Sequence, residues 1–151
     1  MIANFLKTAI DRHFDETKSI IMQLSDDIFD SKATQKTRKT AEIILHMIRS
    51  FEFYSRGLSE GEWIPAPYSL SKYNDSQKVL ALYDEVVSIT KSYLEKLTDE
   101  SLEEILNQFN RTATKGELLL EMLEHSVHHR GQLTVYYRLY EKKPAEIKYI
   151  I

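Results

Sequence analysis

The sequence predicts an all-α protein, a four-helix bundle with long inter-helix connections. Four long segments repeat apolar residues at spacings of three and four, and the three prolines lie outside them. A chain of 151 residues that is 42% hydrophobic and 28% charged has the size and composition of one compact domain. We therefore expect residues 1–151 to form a single domain.

The first predicted helix, residues 2–24, places Leu6, Ile10 and Ile20 on one face, which we expect to be buried. The second, residues 38–58, is apolar over most of its circumference, so we expect it to be the most buried of the four. Its polar residues form one narrow stripe of Glu42, Arg49, Glu52 and Arg56.

The third predicted helix begins at Asn74, with Gln77 at the capping-box position, and continues to about residue 97. The fourth begins at Thr114, with Glu117 as its capping partner, and continues to about residue 141. Its length is roughly 40 Å at 1.5 Å per residue, which suits the central helix of a bundle.

Three connecting segments have recognisable features. Residues 59–68 contain two prolines and Trp63, the only tryptophan, which either plugs one end of the bundle or, less favoured, contacts a substrate. Residues 105–109 are expected to be extended. Residues 144–151 begin with a proline that stops the last helix, and their apolar side chains must pack on another part of the chain.

Composition excludes several classes of function. The net charge is −3 and the 20 Lys and Arg residues are spread along the chain, so there is no basic stripe for nucleic acid. No apolar run has the length of a signal peptide core or a membrane span, and we expect a cytoplasmic protein without membrane or nucleic-acid partners. The absence of cysteine excludes disulfides, thiolate zinc sites and a cysteine nucleophile.

The fourth helix contains a histidine pair on a face that should otherwise be core. His125 and His129 lie four residues apart, one helical turn, and so project in the same direction, whereas His128 points away and should be solvated. An imidazole pair at this spacing is suited to half of a metal site. The apolar stripe that contains the pair consists of Leu118, Met122, Leu133, Tyr136 and Tyr140.

A metal site in a chain without cysteine needs at least a third ligand from His, Asp or Glu. His46 is the best candidate because it lies in the middle of the apolar second helix, where an uncompensated imidazole carries a desolvation cost. Alone, His46 is better explained as a hydrogen-bonded structural histidine, but together with His125 and His129 a metal site is favoured. His13 also faces inward, and there packing or a supporting hydrogen bond is favoured over ligation.

Three further polar residues of the fourth helix lie near the histidines. Gln132 projects beside His125, where it could orient an imidazole, hold water or form an inter-helix hydrogen bond. Arg130 and Arg138 could hold an acidic group of a substrate, although solvated or helix-pairing roles are favoured for both.

These features resemble a known family. A histidine in helix two within Glu-Ile-Ile-Leu-His-Met-Ile-Arg, followed after a long gap by His-x-x-x-His-Arg-Gly-Gln-Leu in helix four, is similar to the DinB-like (YfiT/DinB) superfamily of metal-binding four-helix bundles. The resemblance covers essentially the whole chain. It implies that His46, His125 and His129 are divalent-metal ligands, and that relatives include bacillithiol- or mycothiol-dependent transferases and metal-dependent hydrolases.

Three neutral imidazoles leave the charge of a bound metal undiminished and keep coordination positions open, which lowers the pKa of bound water or thiol. This chemistry is consistent with what the resemblance implies, a metal-dependent transferase that uses a low-molecular-weight thiol on a small-molecule substrate, with a metal-dependent hydrolase as the alternative. A non-catalytic binding protein and a structural module are the remaining alternatives. Zn or Ni is favoured as the metal, and Fe, Co and Mn are compatible.

Self-association is also expected from the sequence. Apolar and aromatic residues surround helix two and continue along helix four, which is more than one bundle of this size comfortably hides. A symmetric homodimer with helix-mediated contacts would cover them. The helix-four residues concerned are Tyr136, Tyr137, Leu139 and Tyr140.

Overall fold

The computed structural model describes residues 1–149 and contains four long helices, two single-turn helices and one β-hairpin. In chain order the elements are α1 (Ile2–Ile21), α2 (Asp26–Phe29), α3 (Thr40–Glu60), α4 (Ser76–Glu95), α5 (Asp99–Leu102), β1 (Ile105–Gln108), β2 (Arg111–Thr114) and α6 (Lys115–Leu139).

The four long helices form a bundle in which consecutive helices are not always neighbours. Helix α3 packs against α4 and α6, and α1 packs against the same two helices, so α1 and α3 lie on a diagonal. Across that diagonal, the rings of Phe14 and Phe51 meet edge to face with their centroids 5.0 Å apart. The prediction of a four-helix bundle is confirmed, and α3 contributes an almost fully buried apolar surface to its core.

The helix boundaries differ from the predicted ones by a few residues. Helix α3 spans 40–60 where 38–58 was predicted, and α4 and α6 each end two residues earlier than predicted. The first helix ends at Ile21, before residue 24, and the single turn α2 follows it. The N-cap of α4 is Asp75, whose carboxylate accepts from the Lys78 backbone N–H at 2.8 Å. Asn74, predicted as the first residue of that helix, instead accepts from the Lys78 ammonium at 2.6 Å. A carboxylate one residue later reaches the free backbone donors of the first turn, which determines where the helix begins.

The start of α6 follows the prediction. Thr114 accepts from the Glu117 backbone N–H at 3.1 Å, and the Glu117 carboxylate accepts from the Thr114 backbone N–H at 2.6 Å. Just before it, β1 and β2 pair antiparallel. Residues 105–108 are therefore extended as predicted, whereas Phe109, predicted to be extended as well, lies in the turn, and β2 was not predicted. The two turn residues, Phe109 and Asn110, have φ of 56° and 58°, the combination of a tight two-residue hairpin turn.

The polar stripe of α3 holds the connection between α3 and α4 in place. Arg49 donates to the Tyr68 carbonyl at 2.6 Å, and Tyr68 donates its hydroxyl to Glu52 at 2.5 Å. Arg56 donates both to Glu52 at 2.9 Å and to the carbonyl of Ile64. Glu52 is consequently only 7% exposed. Residues 61–75 thus cover the narrow polar stripe of α3 that the sequence predicted.

Trp63 is fixed by the shape of α3. Its indole lies against Gly57, where an added Cβ would come within 2.4 Å of the ring, and it packs edge to face on Phe53 at 5.4 Å. The hairpin tip completes the cluster, because Phe109 packs on Trp63 at 5.3 Å between centroids. Trp63 therefore has the packing role favoured from the sequence, and it joins α3 to the hairpin.

A buried polar cluster joins α1 to α6. His13 is 3% exposed and hydrogen-bonds to Ser126, and Arg130 donates to His13 Nδ1 at 3.0 Å and to Glu16 at 2.7 Å. Burial first, and then the Arg130 charge, lower the pKa of His13 to about 3, so the ring is neutral and able to accept from Arg130. The packing role predicted for His13 and the helix-pairing role predicted for Arg130 both agree with these contacts.

The tail after α6 returns to the bundle, as its apolar residues required. The Ala145 backbone N–H donates to Gln23 at 2.6 Å, and Arg130 donates to the Tyr149 hydroxyl at 3.2 Å. The last two residues of the predicted tail, 150 and 151, lie outside the described residues. Within residues 1–149, no helix combines the length and the apolar character that crossing a membrane requires.

Replacing Gly57 by alanine tests the packing of Trp63 against α3. In an exposed helix interior the change would stabilise by roughly 1 kcal/mol. Here the new methyl group collides with the indole ring, so we expect Gly57→Ala to lower the melting temperature and to shift the Trp63 fluorescence towards that of an exposed indole.

Gly131 provides the matched control. It lies in α6 with open space around the position of a Cβ within one chain, so Gly131→Ala should raise the melting temperature of the monomer and leave the Trp63 emission unchanged. Equal stabilisation by both substitutions would contradict the packing described for Trp63.

Candidate metal centre

Three histidines from two helices converge on one point. His46 lies in the middle of α3, and His125 and His129 lie one turn apart on α6, which packs beside α3. The Nε2 atoms of His46 and His129 lie 3.0 Å and 3.1 Å from Nε2 of His125. One ligand atom from each of the three lies within 4.8 Å of the others. The structure thus brings together the three residues that the sequence selected.

Two of these rings are oriented by hydrogen bonds at their other nitrogen. Nδ1 of His129 lies 2.8 Å from the side-chain oxygen of Gln132, which can only accept, so Nδ1 carries the proton. Nδ1 of His125 lies 3.2 Å from the Ser50 hydroxyl, and that hydroxyl donates its one proton to the Met47 carbonyl at 2.7 Å. His125 is therefore the donor to Ser50. In both rings Nε2 carries only a lone pair.

This proton arrangement fits a cation between the rings. Nε2 of His125 and Nε2 of His129 face each other at 3.1 Å and neither can donate to the other, so their lone pairs repel. A divalent ion removes that repulsion. With bonds of about 2.1 Å, two imidazole nitrogens on one ion would be separated by about 3.0–3.4 Å, near the two distances measured from His125. The three-histidine set is thus suited to binding a divalent metal.

Burial keeps the cluster neutral. Burial first, and then the neighbouring histidines, lower the pKa of His46 and of His125 to about 4 in each case. The pKa of His129 is also lowered, mainly by burial, although its hydrogen bond to Gln132 acts in the opposite direction. All three are neutral imidazoles at pH 7. Metal ligation requires that form.

The remaining histidines lie outside the cluster. His128 is exposed, as predicted, and its ring only approaches that of His129, with centroids 5.0 Å apart. His13 belongs to the contact between α1 and α6. Gln132 was expected beside His125, but it bonds to His129, because the i, i+3 spacing places its amide under that ring.

Sequence reasoning missed Ser50 and Arg38. Ser50 lies four residues after His46 on α3 and thus on the same helical face, a spacing that could have identified it. Arg38, just before α3, is exposed, and its charge contributes to lowering the pKa of all three clustered histidines. No sequence spacing relates Arg38 to α6, so its effect on His125 and His129 depends on the tertiary structure.

A cavity of about 340 Å³ opens beside the cluster, between α3 and the connection that covers it. His46 and His125 form one side of it. Its lining residues are His46, Arg49, Ser50, Phe53, Tyr54, Pro65, Ala66 and His125.

A second cavity of about 310 Å³ lies under the hairpin and shares Phe53 and Tyr54 with the first. Tyr54 donates to Glu121 at 2.7 Å, and Arg111 of β2 pairs with the same carboxylate at 2.6 Å. Burial, followed by the bond to Glu121, raises the pKa of Tyr54 to about 12, so its hydroxyl stays protonated. Phe53 and Tyr54 stand between the two cavities.

Comparison with known proteins agrees with this architecture. YjoA of Bacillus subtilis is 29% identical over 130 residues, which are 83% of this chain and 82% of YjoA. The crystal structure of YjoA, described as a DinB-like protein, superposes with a TM-score of 0.77 at 24% identity over 95% of both chains. A DinB-like protein from Bacillus cereus ATCC 10987 superposes with a TM-score of 0.80 at 19% identity, again over 95% of both chains.

A third solved structure is YfiT of Bacillus subtilis, described as a probable metal-dependent hydrolase with an unusual four-helix bundle topology. It superposes with a TM-score of 0.68 at 18% identity, over 93% of this chain and 89% of YfiT. At such identities these likenesses concern the fold. The sequence model of the DinB family matches residues 6–150, nearly the whole chain. The resemblance found in the sequence is thereby confirmed, and the chain belongs to the DinB family.

Proposed function

We propose that this protein binds a divalent metal through Nε2 of His46, His125 and His129 and acts as a metal-dependent hydrolase on a small molecule in the adjoining cavity. One observation carries the proposal: two unprotonated imidazole nitrogens face each other at 3.1 Å next to an accessible cavity. The description of YfiT as a probable metal-dependent hydrolase supports the same class of reaction for a chain with this fold.

When bound, the metal would supply a Lewis acid that makes a water or thiol more acidic and polarises a substrate carbonyl. The chain itself supplies orientation. Gln132 and Ser50 hold the protons of His129 and His125 away from the cluster, so that both lone pairs stay directed at one point. Three neutral ligands leave the charge of the metal undiminished, and the three-residue set leaves positions for water and substrate.

A second candidate is transfer of a low-molecular-weight thiol, such as a bacillithiol-type thiol, to an electrophile. The Arg38 charge supports it, because a guanidinium beside the cluster would favour a thiolate or an acidic group of the thiol. The chain has no cysteine, so the sulfur would have to come from a separate molecule. Zn or Ni is the metal we favour for either reaction, with Fe, Co and Mn compatible, since all of them accept imidazole ligands.

Metal binding should increase the thermal stability of the protein. A metal that binds only the folded state at a hundred times its dissociation constant adds about 2.7 kcal/mol, so the melting temperature of purified protein should rise with Zn²⁺ or Ni²⁺ concentration. His129→Ala should abolish this rise while leaving a folded bundle. Gln132→Ala should weaken the binding by roughly ten- to a hundredfold, because the orienting bond to His129 is lost.

His128→Ala is the matched control, since that ring is exposed and adjacent in sequence. It should preserve the full dependence on metal. Equal loss in His128→Ala and His129→Ala would show that the proposed ligand set is wrong.

Activity should distinguish the two reactions. Metal-loaded protein should hydrolyse members of a panel of neutral esters and amides without added thiol, and chelation or His125→Ala should remove this turnover. Turnover that appears only with an added thiol and an electrophile would favour the transferase, with no background from protein thiols. Full metal occupancy without either activity would favour a binding protein.

We propose separately that the protein self-associates, through a surface that differs from the one the sequence suggested. The tyrosines that suggested it are accounted for within one chain, because Tyr136 and Tyr137 are buried and Tyr140 is half-buried. The outer face of α6 instead exposes apolar side chains, and α1 adds Phe5, 72% exposed. We propose that a second copy covers this face. The exposed α6 residues are Leu120, Val127, Val135 and Leu139.

Sedimentation equilibrium at micromolar protein should therefore give a dimer. Val135→Glu should shift it towards monomer because a charge would be placed in the apolar contact. Met22→Glu is the control, since Met22 is 61% exposed and lies on the side of α1 that faces α4. A monomer at every concentration would contradict the proposal.

A further inference from the structure

We infer that the substrate of this site presents an uncharged apolar group to the cavity between α3 and residues 61–75. The inference rests on the proposed function, since it assigns the group that lies next to the metal. It goes beyond that proposal by naming what the cavity selects. Two features of the cavity support it, its mostly apolar surface and the pairing of its one charged side chain among the described residues.

Apart from the histidines, Arg49 and Ser50, the walls of the cavity are apolar. Phe53 and Tyr54 line it from α3, and Pro65 and Ala66 line it from the connection opposite. His46 and His125 lie at one side, so a molecule bound between these walls has part of its surface against apolar groups and part against the ligand nitrogens. Burial of apolar surface then provides the binding energy, at about 25 cal/mol per Å².

The only charged side chain that lines the cavity is already paired. Arg49 donates to Glu42 at 2.6 Å and to the Tyr68 carbonyl at 2.6 Å. An anionic group placed in the cavity would have to displace these partners or remain desolvated without a partner of its own. A cationic group would meet Arg49 and the metal. Among the described residues, the side chains that line the cavity therefore offer no free charged partner to a group of either sign.

One side chain in the wall of the cavity is fixed in place. Tyr54 donates to Glu121, which Arg111 also binds, so the ring is kept between the two cavities. The available volume of about 340 Å³ is near the lower end of small-molecule sites, which span roughly 300–1,000 Å³. An aromatic ring and a reacting group fit within it.

Three hydroxamates test the inference on the metal-loaded protein by calorimetric titration, without any need for turnover. Acetohydroxamate reports the metal alone. Benzohydroxamate adds an uncharged ring, and 4-carboxybenzohydroxamate adds the same ring with a charge. We expect benzohydroxamate to bind at least about tenfold more tightly than acetohydroxamate, because the ring buries apolar surface, and we expect the carboxylate to remove that gain.

A matched pair of substitutions locates the effect. Ala66→Leu should fill the cavity and reduce the affinity for benzohydroxamate at least about tenfold while leaving that for acetohydroxamate unchanged. Ala81→Leu, on the exposed side of α4, should change neither. The comparison of the three probes on the unmodified protein stands by itself if Ala66→Leu fails to fold.

The outcomes separate this inference from the proposed function. Equal affinities for acetohydroxamate and benzohydroxamate, or tighter binding of the carboxylate, would overturn the assignment of an uncharged apolar group and leave the metal site intact. Failure of all three hydroxamates to bind, with no metal retained by the protein, would overturn the metal site and this inference with it.

Discussion

The site depends on a repulsion that the fold holds in place. Unprotonated nitrogens of His125 and His129 face each other at 3.1 Å, an arrangement that isolated imidazoles would leave by rotating or by taking up a proton. Rotation is opposed by Gln132 and Ser50, which accept from the opposite side of each ring. Protonation is opposed by burial, which lowers the pKa of both rings. The same two constraints keep the rings from taking up a proton and leave their Nε2 lone pairs available to a metal.

The geometry of the bundle determines where this constraint can be met. Because α1 and α3 lie on a diagonal, α3 is free to pack along α6 and to direct His46 at the histidine pair. Packing on α4 leaves the polar stripe of α3 for the connection, which Arg49 and Glu52 bind. The cavity beside the cluster is a consequence of that coverage, since the connection supplies its opposite wall.

The sequence predicted the bundle and the histidine triplet because both depend on periodicity within helices. His125 and His129 are visible from spacing alone, and Thr114 with Glu117 marks the start of their helix. Features that depend on a connection folding back over a helix, or on an unusual turn, were not predictable in this way. The Tyr68 contact with Glu52 requires a long connection to fold back over α3. The pairing of β1 with β2 requires a turn with two positive φ angles, and phenylalanine is not a residue type that predicts such a turn.

Helix α6 carries two unrelated sets of contacts within a few residues of each other. Ser126 and Arg130 face α1, while His125 and His129 face α3. Inserting or deleting a single residue within this stretch would rotate the residues after it by about 100° relative to those before it, which would separate His129 from His125 and Arg130 from Ser126. The connection between α3 and α4 makes its contacts with α3 through Trp63, Ile64 and Tyr68, so residues added after Tyr68 would leave those contacts in place. Changes in chain length among proteins built this way should therefore collect after that point in the connection and be excluded from the middle of α6.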